Sequence, residues 1–316
     1  MNAKTRTDNL DERIAKQPSS PRIGILRNRY SHIPQYDRQI ERIMEALAAR
    51  GAEIDVEDTD SLGIRMENGE PKAPKDWDAC IYLDKDEYAA SLLERSGIRL
   101  FNSAEAIRLC DDKMLTHIAL TGSGIRMPDT TPGPLLYDAK MEIARGFADG
   151  LEERYGYPMV VKESFGSMGR GVRLVRDRKE LDATLEELRG KRFLVQEMIG
   201  SGKGEDLRVM VIGGKAIGGI LRRSESDFRS NAALGGMATA VDVPRESAEI
   251  AEKAAEVLGL DYCGADLLKD EEGRYTMLCE VNSNAFFSAF EEATGIDVAG
   301  AYADLVIDVA CRRERD

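Results

Sequence analysis

"VVKESFGSMGRGVRLV" occupies residues 160–175. An apolar run ends at Lys162, the glycines Gly166, Gly169 and Gly171 follow, and a second strand-like run starts at Val172. Glycine accepts positive φ and lets backbone N–H groups approach a ligand, so such a loop can cradle phosphates. The plain alternative is a hairpin turn. Spacing excludes two common phosphate loops. A Walker A loop fails because "EMIGSGKGED" (197–206) has Glu197 where its first glycine belongs and Gly204 where its Ser/Thr belongs. A Rossmann fingerprint fails because a strand, not a helix, follows the glycines. Strand, glycine loop and strand instead describe a flap over a triphosphate, with Lys162 placed to neutralise phosphate charge.

Working outward, 316 residues with 42% apolar and 32% charged side chains describe a globular protein of two or three packed units. No apolar run is long enough to span a bilayer. The first stretch is polar and lacks an apolar signal core, so residues 1–21 are expected to form a disordered tail. Five cysteines lie far apart with no C-x-x-C pair, which suits reduced thiols in the cytoplasm and neither zinc nor disulfides. A net charge of −13 argues against nucleic acid and anionic membrane as partners.

Strands 22–26, 52–58, 77–83 and 97–101 alternate with helices 36–50 and 87–96, which predicts a small open parallel α/β domain over 22–103. A helix over 103–120 capped by Ser103, a second helix over 138–154, and strands flanking the glycine loop predict an α+β lid over 104–195. Strands 207–214 and 215–223, a Ser/Asn/Gly-rich loop, a helix ended by Gly259, a hairpin and a terminal helix predict a third unit over 196–312.

That hairpin, "YCGADLLKDEEGRYTMLCEVNSN" (262–284), has "KDEEGR" as its turn. Alternation along a strand puts Glu280 and Asn282 on one face and Met277, Cys279 and Val281 on the other. With the turn centred near residue 272 or 273, Asp266 falls opposite Glu280 or diagonal to it, on the same face. Two carboxylates and an amide oxygen then converge as a self-repelling cluster whose oxygen-only donors suit a hard cation. The plain alternative is a solvated strand face. Upstream, Arg222, Arg223 and Arg229 form a cationic patch in an acidic chain, suited to phosphates and carboxylates or simply to solvent.

Lys113 in "DDK", Lys162, "VQEMI" (195–199), "EDLRV" (205–209), "DFRSN" (227–231), Asp266 and "EVN" (280–282) together resemble the ATP-grasp superfamily, and within it the RimK-type amino-acid ligases. The resemblance implies an ATP-grasp fold of two α+β subdomains clasping ATP, preceded by the small α/β domain. It implies that Lys113 and Lys162 contact the nucleotide phosphates under a lid of Gly166, Ser167, Gly169 and Gly171. Gln196, Glu197, Met198 and Ile199 would form the adenine hinge, and Asp206 would hold the ribose. Arg208, Arg229, Ser230 and Asn231 would face the terminal phosphate and the reacting carboxylate. Asp266, Glu280 and Asn282 would hold two Mg²⁺ ions, with Mn²⁺ an allowed substitute.

The activity implied is ATP-dependent joining of a carboxylate to the amine of a glutamate-like amino acid through an acyl phosphate. The carboxylate would belong to a peptide, a protein C-terminus or a small molecule; a homo-oligomer is compatible with this. "EVNSNAFFSAF" departs from the usual small residue and proline after "EVN", so Asn284, Phe286 and Phe287 are expected to border the amino-acid site. His32 is a weaker candidate for that pocket, and His117 reads as structural. An ATP-grasp phosphotransferase or a non-catalytic nucleotide-binding regulator would use the same nucleotide site.

Overall fold

The computed structural model describes residues 20–313 except 32, 167, 201–203, 225–226 and 231–236. The expectations for His32, Ser167, Asn231 and nearly all of the tail therefore lie outside the described residues. The chain opens with β1 (Arg22–Arg27), α1 (Pro34–Ala48), β2 (Glu53–Asp58), β3 (Arg65–Glu67), β4 (Glu70–Lys72), β5 (Ala79–Tyr82), α2 (Glu87–Arg95) and β6 (Arg99–Phe101). Strands β2-β1-β5-β6 form the expected parallel sheet. β5 is buried along its whole length, as a covered parallel strand must be. α1 presents Tyr36, Ile40, Ile43 and Leu47 to the core at helical spacing. The β3–β4 hairpin was not anticipated, although its turn carries Asn68 and Gly69 at φ 53° and 81°. Asn-Gly is a strong two-residue hairpin signal.

Next come α3 (Ala104–Asp111), α4 (Lys113–Ala119), β7 (Thr130–Pro132), α5 (Arg145–Tyr155), β8 (Met159–Glu163), β9 (Val172–Val175), α6 (Arg178–Glu187) and β10 (Phe193–Glu197). The single helix expected over 103–120 is two. Asp112 breaks it, its carboxylate accepting the Met114 and Leu115 N–H groups at 2.8 and 3.2 Å, which starts a new helix. The helix expected from 138 begins only at Arg145, because residues 137–142 are exposed and have no apolar face to pack. The sheet is antiparallel, in the order β7-β10-β8-β9, with the glycine loop joining β8 to β9.

The last third holds β11 (Gly204–Ile212), β12 (Lys215–Ser224), β13 (Met237–Val241), α7 (Arg245–Leu258), β14 (Tyr262–Lys269), β15 (Tyr275–Asn282), α8 (Ser288–Thr294) and α9 (Val298–Arg313). Its five antiparallel strands run β13-β12-β11-β14-β15. Gly259 ends α7 at φ 69°, as expected of a left-handed C-terminal cap. β13 and α8 are additions to the sequence expectation.

One core joins the first and last sheets: Ile23 and Ile25 share it with Met210, Tyr262, Tyr302 and Val306. The middle sheet has its own, around Met159, Val161, Leu181 and Val195. A cleft lies where the middle and last sheets face each other, lined by Val160 and Lys162 of one and Asp206, Arg222 and Asp266 of the other. Among the described residues no helix is long and apolar enough to cross a membrane.

Candidate active site

A cleft of about 380 Å³ is walled by Lys113, Lys162, Gly166, Gly169, the hinge Gln196–Ile199, Asp206, Arg229, Ser230, Asp266 and Glu280. That volume is ordinary for a small-molecule site. Most sequence candidates thus meet on one surface. The break at Asp112 explains how Lys113 arrives there. Its backbone N–H donates to Ser164 O at 3.0 Å, and its ammonium donates to Gly166 O at 2.8 Å. The same ammonium lies 3.8 Å from Glu280. Lys162 projects from β8 with its Nζ 3.7 Å from Cys279 Sγ.

The glycine loop is held from both sides. Lys113 takes Gly166 O, and Arg229 Nη1 donates to Gly169 O at 2.8 Å. Arg229 is further fixed by Asp227, whose carboxylate accepts its Nε and Nη2 at 2.9 and 2.6 Å. Gly204 permits this segment to lie close: a Cβ there would sit 2.5 Å from Asp227 O and 2.6 Å from Arg229 O. At the hinge, the Glu197 N–H is already donated to Asp129 O at 3.1 Å. The Met198 and Ile199 N–H groups have no backbone acceptor among the described residues, which leaves them available to an adenine edge.

Behind the hinge, the Gln196 side-chain amide faces His117 Nε2 at 2.9 Å and donates to Thr130 Oγ1 at 2.8 Å. Burial, with Lys162 nearby, lowers the His117 pKa from 6.5 to about 4. Its folded-state value is depressed, so its contribution is present above pH 6.5 and is lost as pH falls toward about 4. A His117→Gln variant should therefore lose this part of the acid sensitivity. The wild-type minus variant unfolding free energy, from urea melts, should fall by ~2 kcal/mol between pH 7 and pH 4. A constant difference would show that the ring is not held neutral.

The hairpin register pairs Asp266 directly with Glu280, one of the two placements that alternation allowed, and Gly264 with Asn282. Between these pairs and Leu267–Leu278 the register shifts, leaving Cys279 as an extra residue. This bulge turns Cys279 into the cleft beside Lys162, where alternation had put it on the opposite face. The expected self-repelling carboxylate cluster is also corrected. Arg208 donates to both Asp266 oxygens at 2.7 Å, and Arg222 Nη2 lies 2.9 Å from Asp266 Oδ2. Burial pushes the Asp266 carboxyl up, but the two arginines outweigh it and hold it below the ordinary value.

Arg222 also takes both oxygens of Asp206, at 2.7 and 2.6 Å, and the Ser230 hydroxyl donates to Asp206. Burial raises the Asp206 carboxyl, with Asp266 adding to the rise against the pull of Arg222. Asp206 therefore spends its oxygens on Arg222 and Ser230 rather than offering them freely to a ribose. Arg208 does not line the cleft but sits behind Asp266. Arg222, which the sequence left in a scattered patch, lines the wall together with Arg170 and Arg229. Strand alternation in β12, Arg222 inward and Arg223 outward, was the available signal.

Among the described residues no three His, Cys, Asp or Glu side chains converge. The hairpin brings together two carboxylates and one amide, Asp266 already accepting from Arg208 and lying beside Arg222, so that a cation would share its oxygens with them. Such a partial, oxygen-only set fits Mg²⁺, which usually completes its shell from water and substrate phosphates. Glu280 is the more accessible of the two carboxylates, its side chain 29% exposed against 7% for Asp266. It also lines a second cavity of about 340 Å³ with Gly166, Asn282, Asn284 and Phe286. Phe287, expected at that border, is instead fully buried in the core.

A sequence model of the RimK-like ATP-grasp domain matches residues 110–306. The chain is 33% identical over 287 residues to a probable alpha-L-glutamate ligase of Aliivibrio fischeri, covering 86% of this chain and 92% of that protein. It is 34% identical over 240 residues to beta-citrylglutamate synthase B of Danio rerio, covering 75% of this chain and 57% of that protein. It thus spans little more than half the length of that relative. A RimK-domain ATP-grasp protein from Sphaerobacter thermophilus superposes with a TM-score of 0.68 at 24% identity, over 90% of this chain and 99% of that one. The chain belongs to the RimK-like ATP-grasp family, and its fold is the ATP-grasp fold.

Proposed function

We propose that the protein is an ATP-dependent ligase that activates a carboxylate as an acyl phosphate and joins it to an amine. One observation carries this reading. The nucleotide cleft and the second cavity share Gly166 and Glu280, so a γ-phosphate and a second substrate can meet at one wall. Both relatives named above carry glutamate in their names, which makes a glutamate-like amine the first to test. The carboxylate partner is open among peptides, a protein C-terminus and small molecules such as citrate. A cytoplasmic location fits the ATP requirement and the five free cysteines.

Lys113, Lys162 and Arg229 would exchange their present partners for phosphate oxygens, neutralising charge where phosphoryl transfer develops it. The Met198 and Ile199 N–H groups would read the adenine edge. The glycine loop would exclude water, which otherwise hydrolyses an acyl phosphate. Asp266, Glu280 and Asn282 would hold Mg²⁺, two ions or one, with Mn²⁺ as a substitute; it would supply charge neutralisation at the phosphates.

The test is ADP release with a panel of carboxylates, with hydroxylamine present to trap acyl phosphate as hydroxamate. Hydroxamate formation supports the ligase. ADP release without hydroxamate would indicate phosphoryl transfer to a hydroxyl, and binding without turnover a regulator. On the same reading, Lys162→Ala should weaken ATP binding at least about tenfold by calorimetric titration. Its stability should change by less than ~1 kcal/mol, because the side chain is half-buried at a cleft wall. Unchanged affinity would remove Lys162 from the phosphate site.

A further inference from the structure

Asp84 lies just beyond β5 and is only 7% exposed. It lines the second cavity, together with Lys85, Glu280, Asn282 and Asn284. Its Oδ1 accepts hydrogen bonds from Asn28 Nδ2 at 2.9 Å and from its neighbour's backbone, Lys85 N, at 2.7 Å. Its Oδ2 has neither a donor nor a cation among the described residues. The nearby cations are committed elsewhere: Lys85 pairs with Asp111, Arg27 with Asp58, and Arg29 with Asp58 and Asp60. A carboxylate more than nine-tenths buried is costly unless something neutralises it, and here the protein supplies only two neutral N–H donors to one oxygen. The second oxygen is left for whatever enters the cavity.

The chemistry of that visitor is narrow. A divalent cation would want several oxygen ligands, whereas the cavity's other carboxylate, Glu280, belongs to the hairpin set and the neighbour of Asp84 is the cationic Lys85. An ammonium needs only one strong acceptor, and its charge is the one this site lacks. The cavity also borders Gly166 and Glu280 of the nucleotide cleft, so an amine held here faces the region where a carboxylate would be phosphorylated. We propose that Asp84 Oδ2 receives the amino group of the incoming amine substrate, making the N-terminal α/β unit the amine-selecting part of the enzyme; this rests on the ligase reading above.

The test separates the two ideas by nucleophile. Hydroxylamine is small and neutral at pH 8, so it needs no carboxylate anchor to reach an acyl phosphate. Asp84→Asn keeps shape and the Oδ1 contacts but presents an amide instead of a charge. With the carboxylate that gives hydroxamate in the wild-type protein, the variant should form hydroxamate within about twofold of the wild-type rate. Its KM for the L-amino acid substrate, found by screening the twenty, should rise at least about tenfold, with KM for ATP unchanged. An unchanged amino-acid KM would overturn the proposal, as would a raised Mg²⁺ requirement, which would make Asp84 a metal ligand. Absence of hydroxamate from wild-type protein with every carboxylate would sink the ligase reading itself. Should the variant not fold, the wild-type protein decides. The deaminated analogue of the amine substrate should inhibit with a constant at least about tenfold above the substrate's KM, and comparable affinity would overturn the assignment.

Discussion

Replacing Glu280 by Gln should lower turnover at least about a hundredfold while leaving the circular dichroism near native. The replacement conserves size and hydrogen bonding and removes one charge. Folding should survive because Glu280 is partly exposed and its only ionic partner among the described residues, Lys113, stands 3.8 Å away. Such a pair is worth little in stability. Catalysis should not survive, because this is the accessible carboxylate of the hairpin and it borders both cavities. The concentration of Mg²⁺ giving half-maximal rate should rise in parallel, which separates loss of a metal ligand from general damage. Glu271→Gln, in the exposed turn of the same hairpin, is the control and should change neither quantity. Equal turnover in the two variants would make the hairpin ordinary scaffold.

Glu280 and Asp266 were legible in the sequence because strand alternation is a local rule and the hairpin turn at 270–274 fixes the register. The glycine loop was legible for a similar reason: few structures need glycines so closely spaced between two strands. Cys279 was not, because a β-bulge is a property of the pairing and leaves no mark on one strand read alone. The break at Asp112 was hidden by helical spacing on both sides. Only the cap it makes, together with the tertiary bond from Lys113 N to Ser164 O, divides the helix. The shared core of the first and last sheets was beyond reach for a further reason. Ile25 and Val306 are joined by packing across the fold, and periodicity reports which face is buried but not against what.

The arginines show the same limit at the site. Arg208, Arg222 and Arg229 look alike as basic residues in an acidic chain, yet each has a different task. Arg229 holds the glycine loop through Gly169 O. Arg208 sits behind Asp266, and Arg222 joins Asp206 to Asp266 at the cleft wall. Only the partners distinguish them, and partners are set by the tertiary fold.

Arg222→Met should destabilise the protein by about 3–5 kcal/mol in urea unfolding, the range expected when one member of a buried ion network is removed. Arg222 is 5% exposed, and its loss strips Asp206 of the only cation bonded to it among the described residues. Asp266 keeps Arg208, so the damage should centre on Asp206. A second change then tests the cause. Asp206→Asn in the Arg222→Met background replaces a stranded charge by a neutral amide that can still accept from Ser230. It should recover at least half of the lost stability, whereas the same change in wild-type protein should be destabilising because it removes a partner of Arg222. Recovery in stability should not restore activity, since Arg222 would still be missing from the wall that holds Asp266 and the 227–230 segment in place. A single variant that loses less than ~1 kcal/mol, or a double variant no better than the single, would mean the network is solvated and carries no buried charge. The stability cycle and the turnover cycle together thus separate Arg222 as a counter-ion from Arg222 as the brace of the active site.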